Sequence, residues 1–145
     1  MRSTDPKTGM TLLDPEECWR LMGEAEVGRL AVSIAEHPDI FPINHAVDQR
    51  TVVFKTEAGT KLAGAVCGRA VAYEVDGYDS WSGDAWSVVI KGRAEELEKL
   101  VDLEHVEKLN LLPWSTSPKS RWVRIIADEI SGRRFHVVAE AQPEF

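Results

Sequence analysis

Short strand-like segments follow one another along most of this chain, with only brief turns between them. Residues 27–34, 40–47 and 51–54 are rich in β-branched and aromatic side chains, and polar or turn-forming residues separate them at 35–39 and 48–50. Connections this short join antiparallel neighbours, because a parallel pair needs a crossover of a dozen residues or more. The sequence therefore predicts an antiparallel meander in the first half of the chain.

The second half continues the pattern. Residues 69–75 and a run that opens at 86–89 and extends toward 94 predict two more strands, and 122–126 and 132–138 predict a final pair around a turn at 128–131. With two or three short helices added, the total is six or seven strands. This succession predicts a mainly β (α+β) fold, an antiparallel barrel or sandwich, and disfavours a parallel α/β sheet.

The first helix has a clear start signal. Asp14 is a suitable N-cap, Pro15 fits the first helical position, and Glu17 stands where a capping box places a carboxylate. Its apolar residues Cys18, Leu21 and Met22 predict one buried face. A later amphipathic stretch, 95–109, fits either one helix or the end of a strand followed by a helix.

Length and composition place the chain among single-domain globular proteins. At 145 residues we expect a flexible N-terminus at 1–12, one domain at 13–138 and a tail at 139–145. Cys18 and Cys67 are too few and too far apart for a disulfide framework or a metal site, so we expect two reduced thiols. No apolar run reaches the ~20 residues of a membrane span, and we expect a cytoplasmic protein.

Charge argues against nucleic acid as a partner. The net charge is -7, so a polyanion would be repelled unless a local basic stripe outweighed it. Basic residues do gather late in the chain, but their spacing favours a solvated strand face over a continuous patch. They are Lys119, Arg121, Arg124, Arg133 and Arg134.

The stretch 51–61 carries the most specific chemistry. A strand runs into a turn of small residues, and apolar spacing after Lys61 predicts a short helix. Two hydroxyls (Thr56, Thr60), a flexible Gly59 and the ammonium of Lys61 therefore gather where backbone N–H groups are free, which suits a phosphate. A solvated turn with a threonine cap explains the same residues about equally well. The glycine spacing of a Walker-type loop is absent.

Six short segments form a pattern along the chain: VGRLA at 27–31, PIN at 42–44, VFKT at 53–56 with GTKL at 59–62, VAYEVD at 71–76, WSV at 86–88 with Gly92, and GR at 132–133. Taken together and in order, they resemble the pyridoxamine 5′-phosphate oxidase-like flavin-binding split-barrel proteins, in particular their small actinobacterial-type members. The resemblance covers about residues 13–138.

The resemblance implies a homodimeric split barrel that holds FMN, or in some members the deazaflavin F420, in a cleft between subunits. It assigns the cofactor phosphate to Thr56, Thr60 and Lys61, in agreement with the chemistry of that stretch. It assigns contacts with the rest of the cofactor to Pro42, Ile43, Asn44, Val53, Phe54, Lys55, Leu62, Trp86 and Ser87. His45 and Arg133 are candidate substrate residues.

His45 departs from the family pattern, which commonly has an aromatic residue there. It either meets the flavin ring or a substrate, or is a core histidine with its hydrogen bonds satisfied. The other histidines show no partner pattern and are expected to be structural or exposed.

Three functions follow from the resemblance. The first is an FMN-dependent oxidoreductase acting on a small organic substrate. Because this sequence ends soon after Arg133 and Arg134, it lacks the C-terminal Arg and His segment with which full-length oxidases grip pyridoxamine phosphate, and we expect another substrate. The second is an F420-dependent reductase, against which Glu57 and the net charge weigh mildly. The third is a non-enzymatic module that stores or senses flavin. No nucleophile elbow or metal-ligand spacing suggests other chemistry.

Overall fold

The computed structural model describes residues 3, 4, 6, 8–57, 61–109, 111 and 120–137. These residues form eight strands and three helices. The strands are β1 (Ser3–Thr4), β2 (Thr11–Leu12), β3 (Val27–Ile34), β4 (His37–Asp48), β5 (Thr51–Glu57), β6 (Ala70–Tyr78), β7 (Asp84–Glu96) and β8 (Ser120–His136). The helices are α1 (Pro15–Glu24), α2 (Lys61–Val66) and α3 (Leu100–Glu107).

The six long strands close into a ring. They lie in the order β8, β5, β4, β3, β6, β7, and β7 pairs back onto β8, while β2 and β1 extend from another part of β8. Every pairing is antiparallel. The predicted antiparallel barrel is therefore confirmed, and the long β8 serves as the strand at which the ring closes.

Two hairpin turns are tighter than predicted. Ala35 and Glu36 have φ angles of 49° and 67°, and Gln49 and Arg50 have φ angles of 48° and 60°. Two successive residues with positive φ are typical of a two-residue turn whose twist matches that of the flanking strands. The turn of the first hairpin consists of only two residues, so β4 begins at His37 and includes residues 37–39, which were predicted to belong to the turn.

The predicted turn at 128–131 is wrong, because β8 runs through it as one strand of 17 residues. Lys91 pairs with Glu129 and Gly92 pairs with Ala127, so Asp128 is an extra residue on β8 and forms a bulge. A Cβ atom on Gly92 would lie 1.9 Å from the carbonyl oxygen of Ile126. The glycine therefore lets β7 approach a bulged partner, and polar residues that suggested a turn occupy an exposed stretch of strand.

Helix α1 follows its sequence signals closely. Asp14 accepts a hydrogen bond from the backbone N–H of Glu17 at 2.9 Å, and Cys18, Leu21 and Met22 are buried as predicted. Both cysteines are free, which confirms the prediction of two thiols. Of the two alternatives for 95–109, the strand end followed by a helix is confirmed, since β7 extends to Glu96 and α3 begins at Leu100.

Two hydrophobic clusters lie on opposite faces of the sheet. The main cluster fills the barrel interior with side chains from α1 and from all six long strands. A second, small cluster lies on the outside, where α3 covers part of β5 and β8 through Val53, Val106 and Trp122. Considering only the described residues, the outer surface of the barrel therefore has a covered part, beneath α3, and an open part, formed by β4, β3, β6, β7 and the end of β8.

Candidate functional site

Strand alternation divides the predicted cofactor residues between the two faces of the sheet. Ile43 and Phe54 belong to the interior cluster, and Trp86 packs against it over Gly77, where a Cβ atom would lie 2.6 Å from the indole. The side chains that lie on the outside, or at its edge, include Pro42, Asn44, Val53, Lys55, Ser87 and Arg133. The interior residues can meet a ligand outside the barrel only through their backbone.

The predicted phosphate residues are described in part. Thr56 is buried near the end of β5, at 8% exposure, and it pairs in register with Arg121 of β8. Arg121 is exposed, and its Nε lies 3.3 Å from Oε1 of Glu96. Thr60 lies outside the described residues, as does the side chain of Lys61. The described part of this corner thus contributes the buried hydroxyl of Thr56, as predicted, and the nearby guanidinium of Arg121, which was predicted only to lie on a solvated strand face.

Two of the predicted ring contacts lie beside α3. Val53 is fully buried beneath the helix, and Nζ of Lys55 lies 5.5 Å from the ring centroid of Trp122, within the range of a cation–π contact. Leu62 of α2 is partly buried against the interior cluster. The side chain of Val53 is therefore covered by protein, and Lys55 already has an aromatic partner.

His45 lies inside the barrel with both ring nitrogens engaged. Nε2 is 2.8 Å from the carbonyl oxygen of Met22, and Nδ1 is 2.5 Å from the hydroxyl of Tyr73. The carbonyl can only accept, so Nε2 carries the proton and Tyr73 donates to Nδ1 of a neutral ring. Burial lowers the pKa of His45 below its ordinary value and so favours that neutral form. This is the geometry of the core alternative, and it gives His45 no free nitrogen for a substrate.

Tyr73 is the partner that makes this arrangement possible. Its side chain is fully buried, its hydroxyl also lies 3.2 Å from the carbonyl oxygen of Ile43, and burial raises its pKa. The ring occupies the space above Gly28, where a Cβ atom would come within 2.4 Å of it. Gly28 of the VGRLA segment is thus explained by packing, since only glycine leaves room for this tyrosine.

A charged cluster lies on the open part of the outer surface. Nη1 of Arg29 on β3 lies 3.3 Å from Oε1 of Glu74 and 3.1 Å from Oδ2 of Asp76, both on β6. Burial together with a hydrogen bond and charge repulsion from Asp76 raises the pKa of Glu74 to about 7. Among the described residues, this is a carboxyl group that can carry a proton close to neutral pH.

Strand register places this cluster among predicted site residues. Arg29 pairs with Pro42 on one side and with Glu74 on the other, and Asp76 pairs with Ser87, which pairs with Arg133. Arg29, Glu74 and Asp76 belong to the segments at 27–31 and 71–76 that carry the family resemblance, but no role was predicted for them. Their spacing offered a signal, because residues two apart on one strand share a face.

A second charged network fastens α3 to the sheet. The carboxylate of Asp48, 8% exposed, lies 3.0 Å from Nε2 of His105 on α3 and accepts a hydrogen bond of 3.0 Å from Arg124 on β8. Burial by itself would raise the pKa of Asp48, but the hydrogen bonds and charges of His105 and Arg124 lower it below its ordinary value. Arg124 also donates to Thr51 at 2.7 Å.

The late basic residues are only partly the solvated strand face that was predicted. Arg121 and Arg133 are exposed, but Arg124 is engaged beneath α3, and Arg134 donates to Oε1 of Glu17 on α1 at 3.0 Å. Arg134 therefore ties α1 to the barrel, and Arg124 holds Asp48, the residue that contacts His105 on α3. Lys119 lies outside the described residues.

Two other classes of site find no support in the described part of the chain. No group of three or more His, Cys, Asp or Glu side chains there has the arrangement of a metal site. None of the described helices is long and apolar enough to cross a membrane.

Comparison with known proteins identifies relatives along nearly the whole chain. The uncharacterised protein Rv0080 of Mycobacterium tuberculosis is 32% identical over 135 residues, which cover 90% of this chain and 87% of that protein. Rv3129 of the same organism is 43% identical over 89 residues, covering 61% of this chain and 79% of that one. Neither relative has a described activity in its name.

Solved structures extend the comparison to the fold. The FAD-binding protein from Mycobacterium smegmatis is 36% identical with a TM-score of 0.78, over 87% of this chain and 98% of that one. A conserved protein of unknown function from Corynebacterium diphtheriae is 33% identical with a TM-score of 0.75, over 90% and 99%. The family model described as pyridoxamine 5′-phosphate oxidase matches residues 14–134. With a split-barrel fold and a match of that length, the chain belongs to the pyridoxamine 5′-phosphate oxidase-like family.

Proposed function

We propose that this protein binds a flavin nucleotide and acts as an oxidoreductase on a small organic molecule. The observation that carries the proposal is the similarity to the FAD-binding protein from Mycobacterium smegmatis, 36% identical over 87% of this chain. The flavin supplies the hydride and electron transfer, and the protein binds and orients it. FMN is the simplest ligand that fits the proposal, and FAD contains the same phosphate and ring system.

The proposed phosphate site is the corner where β5 ends and α2 begins. Thr56, Thr60 and Lys61 are its sequence-derived members, and the exposed Arg121 across from Thr56 adds a cation that could meet a phosphate. A buried hydroxyl and a guanidinium fit an anionic group better than an apolar one. This chemistry supports the assignment of the corner to the phosphate.

The open outer surface is the proposed place for the ring system. It combines the apolar Pro42 with the polar side chains of Asn44 and Ser87, and a flat ring needs both apolar walls and a few fixed polar groups. Ile43 and Phe54, whose side chains face inward, are proposed to contribute backbone groups or to support the wall from behind. His45 and Val53 make no side-chain contact with the ring in this proposal, because one is satisfied inside the barrel and the other lies beneath α3.

Cofactor identity is tested by loading the purified protein with FMN, FAD or F420 and removing the free ligand by gel filtration. We expect a retained flavin with a shifted visible spectrum, and release by denaturation followed by chromatography distinguishes FMN from FAD. Retention of F420 alone would instead support the deazaflavin alternative. Bleaching of the bound flavin by a nicotinamide donor, followed by reoxidation, would favour an enzyme over a storage protein.

The phosphate assignment is tested by Lys61→Ala. Loss of a charged hydrogen-bond partner is expected to weaken flavin binding by about 2 kcal/mol, measured by fluorescence titration. Lys99→Ala serves as a matched control, because Lys99 is exposed before α3 and removes the same charge elsewhere. Equal affinity in the two variants would remove Lys61 from the site.

We also propose a homodimer with the cofactor between the subunits. The support is the family resemblance together with an outer surface whose polar and apolar groups are left open in one chain. Sedimentation at micromolar concentration tests this directly. A monomer that still retains flavin would contradict the dimer and leave the flavin proposal standing.

A further inference from the structure

The charged cluster of Arg29, Glu74 and Asp76 lies where the flavin ring is proposed to bind. The strands β4, β3, β6 and β7 are neighbours in that order, and Pro42 lies on β4 while Ser87 lies on β7. Arg29 of β3 pairs with Pro42, and Asp76 of β6 pairs with Ser87. A flat ring that contacts both Pro42 and Ser87 therefore has to cover the cluster between them.

The cluster contains two acids and one base. Nη1 of Arg29 lies 3.1 Å from Oδ2 of Asp76 and 3.3 Å from Oε1 of Glu74, so one guanidinium serves both carboxyl groups. The two carboxyl groups are also hydrogen-bonded to each other. Two ionised carboxylates have no hydrogen to share, so this bond requires that one of them carries a proton. With that proton the cluster is neutral, and without it one negative charge is left uncompensated.

The neighbouring strands bring few other charges close to Glu74. On β7 the residue opposite Glu74 is Val89, and the next outward residue, Lys91, has its Nζ 4.0 Å from Oε1 of Glu129 on β8. Arg133, also on β8, is separated from β6 by the whole width of β7. The charge of Glu74 is therefore set mainly by the cluster itself.

Glu74 is the member of the cluster whose pKa is shifted toward neutral pH. Desolvation by the surrounding protein, the hydrogen bond with Asp76 and the negative charge of Asp76 raise the pKa of Glu74 to about 7, and Arg29 opposes them only in part. The proton of the cluster is therefore held below neutral pH and is lost above it.

A flavin ring over the cluster would change this balance. The three side chains are still in contact with water, with exposed fractions of 55% for Arg29, 33% for Glu74 and 44% for Asp76. A ring that covers them removes that water, and an uncompensated negative charge against an apolar ring is unfavourable. The protonated cluster avoids this cost. Its neutral carboxyl group can in addition donate a hydrogen bond to a carbonyl oxygen or nitrogen of the ring, which a carboxylate cannot do.

We propose that Glu74 contacts the flavin ring as a neutral carboxylic acid, so that cofactor binding takes up a proton from solvent. The inference rests on the flavin-binding function proposed above, and it adds Glu74 to the residues that would hold the cofactor. Arg29 and Asp76 are positioning residues, because they hold the carboxyl group that carries the proton.

The direction of the pH dependence follows from this exchange. Below pH ~6 Glu74 is already protonated in the free protein, whereas above pH ~7 it has to gain a proton before the ring can cover it, so affinity falls as pH rises. With a pKa of about 7 in the free protein, the dissociation constant is expected to be about tenfold higher at pH 8 than at pH 6. The FMN phosphate loses a proton near pH ~6 and shifts affinity in the opposite direction, so every effect is taken as a difference between variant and wild type.

The first test is fluorescence titration of FMN with the wild-type protein and Glu74→Gln at pH 6, 7 and 8. Glutamine retains the size of the side chain and a hydrogen-bond donor but cannot ionise. We expect the variant to bind as tightly as wild type at pH 6 and about tenfold more tightly at pH 8. Glu98→Gln, at an exposed position before α3, is the matched control and should follow the wild type at every pH. Wild-type pH dependence in Glu74→Gln would overturn the proposal.

The second test counts the protons directly. Calorimetric titration with FMN at pH 7.5, in two buffers of different ionisation enthalpy, gives the number of protons taken up on binding. We expect the wild-type protein to take up about 0.7 proton more per FMN than Glu74→Gln. An equal number in the two proteins would contradict a neutral Glu74 beneath the ring.

Asp76→Asn retains Glu74 and tests the role of the cluster. With one acid and one base left, the cluster is neutral when Glu74 is ionised, so the loss of affinity between pH 6 and pH 8 is expected to disappear. Asp128→Asn, at an exposed position on β8, should retain it. Full wild-type dependence in Asp76→Asn would show that the proton does not depend on the pair of carboxyl groups, and would overturn the proposal.

The two proposals fail in different ways. A protein that retains no flavin at any of these pH values would contradict both the flavin-binding function and the role of Glu74. A protein that binds FMN with the same pH dependence and the same proton uptake in wild type and Glu74→Gln would contradict only the role of Glu74.

Discussion

Polar side chains differ in burial and in hydrogen-bonding partners between the barrel interior and its open outer surface. Inside, His45 and Tyr73 are 5% and 0% exposed, and their partners leave no ring nitrogen or hydroxyl free. Outside, Arg29, Glu74 and Asp76 also contact one another, but they remain in reach of solvent and of a ligand. The interior pair fixes the architecture, whereas the outer cluster retains a carboxyl group that titrates near neutral pH.

The surface beneath α3 is intermediate between these two. It lies outside the barrel, but Asp48 there is buried, at 8% exposure, and has partners on both α3 and β8. The inward or outward position given by strand alternation therefore does not by itself decide the role of a polar residue. The cover supplied by the neighbouring element decides it.

The largest effect is expected from Gly28→Ala, which tests how rigid the interior is. The new Cβ atom would lie 2.4 Å from the Tyr73 ring, whose hydroxyl is held by His45, so we expect a loss of about 3 kcal/mol in the free energy of unfolding. Gly64→Ala in α2 is the control, because a Cβ atom there meets nothing within 4 Å. Urea denaturation measures both. A small effect at Gly28 would show that the interior can rearrange.

His45→Leu is expected to cost about 2 kcal/mol at pH 7.5, since it leaves the carbonyl of Met22 without its donor. The pKa of His45 is lowered in the folded protein, so below pH ~6.5 the unfolded chain takes up a proton more readily and stability falls as pH falls. The variant should lose this part of the pH dependence. His37→Leu, at an exposed position, should retain it.

If the variant kept the same dependence between pH 7.5 and 5.5 as the wild-type protein, the buried neutral histidine would be contradicted. Glu74 contributes with the opposite sign in this range, so the comparison is made as a difference between variant and wild type at each pH.

Asp48→Asn tests whether the surface beneath α3 behaves like the interior. We expect a loss of about 1.5 kcal/mol at pH 7, because the hydrogen bonds from Arg124 and His105 lose their ionised partner. The pKa of Asp48 is lowered in the folded state, so its stabilisation is present above pH ~3.8 and is lost as pH falls through the folded value. Asp128→Asn, at an exposed position, should change little, and an equal loss there would contradict the assignment.

The smallest effect is expected from Glu74→Gln. The pKa of Glu74 is raised in the folded protein to about 7, so the wild type loses stability as pH rises from ~4.5 toward 7, and the variant should not. Because the side chain is partly exposed, we expect a change of no more than about 0.5 kcal/mol. Denaturation at pH 5 and pH 8 measures it, with Glu98→Gln as the exposed control. An identical pH dependence in variant and wild type would contradict the claim that the outer surface, unlike the interior, retains a carboxyl group that titrates near neutral pH.

Local signals in the sequence were sufficient for most of the fold. The cap at Asp14 and the start at Pro15 act within a few residues, and the strand at Val27–Ile34 is bounded as predicted. The predicted turn at 128–131 failed because its polar residues are tolerated on an exposed strand once β7 supplies a partner and Gly92 makes room for a bulge. That outcome depends on a strand more than 30 residues away, which local propensity does not report.

Less of the candidate site than of the fold could be predicted from the sequence. Alternation separates Pro42 and Asn44 from Ile43, but a linear reading placed all three beside the cofactor. The cover that α3 provides for Val53 and the contact of Arg29 with Glu74 both depend on tertiary packing. The resemblance named the segments, and the structure shows which side chains of each segment face outward.

The visible absorption spectrum of the purified protein, before and after loading with FMN or FAD, tests the central claim most directly. We expect a retained yellow chromophore with the two bands of an oxidised flavin, in a stoichiometry near one per chain. A folded protein that retains neither flavin after gel filtration would contradict the proposed function.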